Sequence, residues 1–195
     1  MRGTLMLSAL ITIAACGEDG GSTNSQEVIT TVTLTFTKAG STPVTAEFDD
    51  PDGDGGDPPT VQPVELSAGM YTMTVGFENR LSSPSESITP EVMDESDVHL
   101  VLFTGTAVVG PASPTTSGPL TQSYGDMDAN GLPVGLTNTV VAAAGTGTLT
   151  VTLRHLPPEE PPVKATDTLS LAKEGGLDAI GGSTDATVDF MVTVR

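Results

Sequence analysis

TVTLTFT, residues 31–37, alternates Thr31, Thr33, Thr35 and Thr37 with Val32, Leu34 and Phe36. In an extended chain successive side chains fall on opposite faces, so a period of two predicts a strand with one apolar face and one threonine face. The pattern returns where Tyr71, Met73, Val75 and Phe77 alternate with Thr72, Thr74 and Gly76, and where Leu149, Val151 and Leu153 alternate with Thr148, Thr150 and Thr152. Val188, Phe190, Val192 and Val194 close the chain in the same way. Residues 98–103 are apolar at nearly every position, which predicts a central strand covered on both faces. Weaker strands are expected over 44–48, 61–66, 120–124 and 134–142.

The 15 prolines and 22 glycines between these runs break any long helix. One short helix is expected over 89–96. There Ser87 or Thr89 can cap it, Pro90 suits the first turn, Glu91 favours the N-terminal dipole, and Ile88 and Val92 share a face. The expected fold is all-β: a single immunoglobulin-like antiparallel β-sandwich over residues 28–195, with that one connecting helix. With five Phe, two Tyr and no Trp, its core must be built mainly from Val, Leu, Ile and Met.

The N-terminus reads as a separate, removable segment. Arg2 supplies a short positive region, Leu5 to Ala15 an apolar one, and Ala14 and Ala15 suit the small-residue pocket of a signal peptidase. A dozen apolar residues fall short of the roughly 20 that span a bilayer as a helix. The only cysteine of the chain, Cys16, follows directly. This arrangement resembles the lipobox of a bacterial lipoprotein, which implies that residues 1–15 are a signal peptide and that Cys16 is lipidated. Several acyl chains on Cys16 would attach the protein stably to a membrane. Residues 16–27 then form a flexible tether of Gly, Ser, Asp and Glu. With no second cysteine there can be no intramolecular disulfide.

The chain carries a net charge of −18, which becomes −19 once Arg2 leaves with the leader. A field of that sign repels phosphates and anionic headgroups and argues against nucleic-acid binding. Two acidic loops suggest a cation instead. Asp126, Asp128 and Asn130, followed by Gly131, match the opening half of an EF-hand-type calcium loop, although the twelfth position is Thr137 instead of Glu. Asp50, Asp52 and Asp54, followed by Gly55, repeat that spacing. Calcium is the expected ion, with turn-forming composition the plainer explanation of both loops.

The two histidines offer a second possibility. His99 begins the 98–103 run and His155 follows the 149–153 run with the inward parity of Leu149, Val151 and Leu153. If those strands are antiparallel neighbours, the start of one lies beside the end of the other and the imidazoles meet. With Asp94, Glu95 and Asp97 just before His99, they form a candidate second metal or cofactor site. Neither histidine lies near a G-x-S-x-G elbow, and there is no phosphate loop, dinucleotide fingerprint or HExxH. The expectation is therefore a protein that is not an enzyme.

Together the leader, the acidic tether, VTLTFT, DDPDGDGG (49–56), DMDANGLPVGL (126–136) and GTLTVTLRHLP (147–157) resemble small outer-membrane lipoproteins of Gram-negative bacteria. These are loosely labelled type 1 periplasmic binding fold superfamily proteins. True members of that superfamily have two α/β domains, so the resemblance implies only an envelope location and ligand capture beside an outer-membrane receptor. The functional expectation is a lipid-anchored, noncatalytic envelope protein that binds a small ligand, a metal or a partner at the outer membrane, on its periplasmic side or at the cell surface. The alternative is a structural or adhesive surface module whose acidic loops are rigidified by calcium.

Overall fold

Threonine-out, apolar-in alternation gives each long strand one face to bury, and two sheets satisfy one another by facing across a shared core. The computed structural model describes residues 27–53, 55–158 and 163–195. The leader, Cys16, the tether as far as residue 26 and Asp54 lie outside the described residues.

In chain order the elements are β1 (Thr31–Thr37), β2 (Val44–Asp49), β3 (Thr60–Val61), β4 (Val64–Leu66), β5 (Gly69–Asn79), β6 (Glu86–Ser87) and α1 (Thr89–Asp94). There follow β7 (His99–Thr104), β8 (Val108–Val109), β9 (Leu120–Tyr124), β10 (Thr137–Ala142), β11 (Gly145–His155), α2 (Thr168–Gly175), a 3-10 turn (Leu177–Ala179) and β12 (Ser183–Val194). One sheet runs β3-β2-β1-β5-β10-β9-β8, with β6 paired to β5; the other runs β4-β12-β11-β7. The long strands pair antiparallel, whereas the short β4 and β8 join β12 and β9 in parallel. The architecture is an all-β sandwich.

The inner faces carry the predicted residues. Leu34, Phe36, Met73, Val75 and Phe77 from the first sheet meet Val101, Phe103, Leu149, Val151, Leu153, Val188 and Phe190 from the second in one buried cluster. Each large apolar side chain so buried contributes roughly 1.5–3 kcal/mol against exposure.

Local departures have local causes. The expected 61–66 strand splits in two at Pro63, which has no N–H to donate to a ladder. The helix ends at Asp94, and neither Ser87 nor Thr89 caps it. The Thr89 hydroxyl instead accepts the Phe77 N–H at 2.8 Å and pins the helix to β5. Strand β7 is covered on both faces, as its composition predicts, yet it is an edge strand of its sheet and not a central one. Its outer residues Leu100 and Leu102 pack with Ala112, Leu156, Ala172 and Ile180, so α2 and its neighbouring turns form a third layer that the alternation does not announce.

Candidate metal centre

Strands β7 and β11 pair antiparallel in a register that sets Val101 opposite Leu153 and His99 opposite His155. Both histidines share the inward parity of the core residues on their strands and are fully buried. Their rings stack, with centroids 4.7 Å apart and planes inclined by 19°. This places an imidazole pair at one end of the space between the sheets.

Two carboxylates join the pair from places that alternation does not mark. On β12 the pairing with β11 slips, so that Leu153 faces Ala186 and Arg154 faces Thr184, leaving Asp185 as an extra residue. Continued alternation from Val188 through Ala186 would turn Asp185 outward; the bulge turns it inward, where its side chain has no exposed surface. The bend just before it depends on Gly182, at φ +70°, whose Cβ would sit 2.1 Å from the His155 carbonyl oxygen. The second carboxylate is Glu27, assigned by composition to the tether. Its side chain is 5% exposed and lies against His99, with Oε1 3.3 Å from Nε2. Asp185 Oδ2 is 3.9 Å from the same nitrogen.

Ligand atoms of Glu27, His99, His155 and Asp185 all fall within 4.8 Å of one another. Five buried atoms here make no hydrogen bond among the described residues: Glu27 Oε2, His99 Nε2, His155 Nε2 and both Asp185 carboxylate oxygens. The His99 tautomer sharpens the point. Nδ1 lies 3.2 Å from the Glu95 carbonyl, which can only accept, so Nδ1 carries the proton. In the neutral ring Nε2 then directs a lone pair at two carboxylates. Such a set of acceptors needs a cation among them, whether a proton or a metal ion.

The electrostatics express the same demand. Burial, and then the charge of Glu27, push the Asp185 carboxyl up to about 7. Burial alone would lower His99, but contact with Glu27 and the field of Asp185 outweigh it and leave the imidazole raised. Burial would raise Glu27, and the contact with His99 and its charge reverse that and hold it low.

Asp94 and Asp97 are not part of the cluster, and Glu95 contributes through its main chain. The calcium-type residues lie elsewhere. Asp126 accepts the N–H groups of Gly135 and Thr137 at 2.8 and 2.9 Å. Asp128 accepts those of Asn130 and Leu132 through Oδ1, while Oδ2 pairs with the buried Lys164 ammonium at 2.9 Å. That loop closes on protein donors. Asn130 is exposed at its tip. In the other loop Asp52 accepts the Asp57 N–H at 3.0 Å, the Asp50 carbonyl accepts the Gly53 N–H at 3.3 Å, and Asp54 lies outside the described residues. An open groove of about 610 Å³ between α2 and the outer face of β7 and β11, lined by Thr104, Thr150, Thr152 and Lys173, contains none of the unpartnered buried atoms.

Fold and site together define a two-sheet β-sandwich with a buried cluster of two histidines and two carboxylates. No protein-family model, curated protein or solved structure matches this chain.

Proposed function

We propose that this protein is a noncatalytic, lipid-anchored module of the bacterial outer membrane that holds a divalent transition-metal ion at Glu27, His99, His155 and Asp185. The observation that carries the reading is the convergence of two buried imidazoles and two buried carboxylates within 4.8 Å, with five of their atoms lacking a hydrogen bond. Side-chain adjustment closes that spacing to the roughly 3.3 Å that separates ligands of a tetrahedral zinc ion. Two neutral imidazoles and two carboxylates balance the charge of a divalent ion, and imidazole selects zinc, copper, nickel or iron over calcium. The Glu95 carbonyl accepts from His99 Nδ1 and so orients the ring, as a carbonyl behind a metal-bound histidine does. Four protein ligands and full burial suit retention of an ion over turnover of a substrate. The envelope location rests on the leader and Cys16, and on the resemblance to outer-membrane lipoproteins.

The test is calorimetric titration of zinc and copper into the chelator-treated mature chain and its His99→Ala/His155→Ala variant. Wild-type protein is expected to bind one ion per chain, and the variant to lose that binding. Equal affinities for the two proteins would refute the proposal.

A further inference from the structure

Three ligands of the cluster belong to one sheet: His99 on β7, His155 on β11 and Asp185 on β12. The fourth, Glu27, belongs to the segment that enters β1 of the opposite sheet. Among the described residues, the main-chain hydrogen bonds that hold that segment start at Thr30. Thr30 donates its N–H to Glu78 at 3.0 Å, its carbonyl accepts the Asp50 N–H at 2.8 Å, and its hydroxyl accepts the Arg80 N–H at 2.8 Å. Among the described residues, 27–29 have no main-chain hydrogen bond of this kind. Val28 is 53% exposed, and Ile29 is half-buried and packs against the core. The buried Glu27 side chain and the packed Ile29 side chain therefore hold this segment, and Glu27 ends among acceptors that need a cation.

We infer that the ion acts as a latch: bound metal ties Glu27, and with it the N-terminal approach, to the β7-β11-β12 sheet, and without it residues 27–29 are held only by the Glu27–His99 contact and Ile29 packing and fray more readily. This rests on the metal reading above and adds a consequence for the whole chain. With the latch closed, the two sheets are joined through Glu27 across one end. With it open, residues 27–29 are free to extend, over at most roughly 10 Å. Metal availability would then set how closely the domain is held to the membrane.

The experiment uses the mature chain with and without zinc, following hydrogen exchange of the peptide that contains residues 27–30, beside calorimetry on wild type and Glu27→Gln. Zinc is expected to slow exchange at Val28 and Ile29 by about tenfold or more in the wild type, since these amides are otherwise limited only by local fraying. Glu27→Gln, which keeps the volume of the side chain, is expected to bind zinc at least about tenfold more weakly and to lose the protection. If zinc does not bind the wild type at all, both the metal reading and the latch fall. If zinc binds with unchanged exchange at 28–29, or binds Glu27→Gln as tightly as wild type, the latch is refuted while the metal reading stands.

Discussion

Replacing Lys164 with methionine tests how the site is held, because this lysine is buried within the fold. Its side chain is 2% exposed, and its ammonium meets the Asp128 carboxylate at 2.9 Å, the Ser96 carbonyl at 2.6 Å and the His99 carbonyl at 3.0 Å. Three donors thus meet three acceptors. One of these is the main chain of a proposed metal ligand, so Lys164 is a positioning residue for the imidazole pair. Lys164→Met fills most of the volume but strands a buried carboxylate oxygen and two carbonyls. Breaking one side of a buried pair costs about 3–5 kcal/mol. For a domain of this size each kcal/mol lowers the melting temperature by roughly 2–4 °C, so a fall of roughly 6–20 °C is expected. Thermal and urea unfolding of the chelator-treated chain measure it. The double variant Lys164→Met/Asp128→Asn removes the stranded charge yet keeps an oxygen for the Asn130 and Leu132 N–H groups, and is expected to recover much of the loss. Zinc affinity of either variant should fall below wild type through the loosened His99 main chain. A loss under about 1 kcal/mol for Lys164→Met, the level of an exposed pair, would refute the reasoning.

While Glu27 stays seated against His99, the metal-free protein has a distinctive pH dependence. Asp185, raised to about 7 from an ordinary 3.8, contributes stability that is complete below pH 3.8 and is lost as pH rises toward 7. His99, raised above 6.5, adds a loss in the same direction between 6.5 and its folded value, whereas Glu27, held low, loses stability only as pH falls below its ordinary 4.5. Calorimetric melting of chelated protein should therefore fall from pH 5 to pH 7, by at most about 1.4 kcal/mol per unit for one proton, and Asp185→Asn should flatten that slope while abolishing zinc binding. An unchanged slope in the variant would refute the assignment. Cys16→Ser is expected to shift the protein from the membrane to the soluble fraction on fractionation; retention in the membrane would refute lipid anchoring.

What the sequence determined alone is what depends on neighbours along the chain. Period-two alternation in 31–37, 71–77, 149–153 and 188–194 specifies strands and their buried faces, because side-chain direction in an extended chain is fixed by parity. Parity also placed His155 inward, and the positions of the two histidines at opposite strand ends allowed their meeting once β7 and β11 paired. Tertiary structure decided the rest. Glu27 sits in a polar run whose composition speaks only of a tether, and it is buried because the cluster across the sandwich accepts it. Asp185 has outward parity until one extra residue in β12 reverses it, and the only local hint is the preceding Gly181-Gly182 pair, a mark of irregular backbone. Asp126 and Asp128 have the spacing of a cation loop, but spacing does not reveal that Lys164, 36 residues beyond Asp128, supplies the cation for Asp128. The strands are local and were legible; the four-residue cluster arises from register, a bulge and the approach of two sheets, none of which has a sequence period.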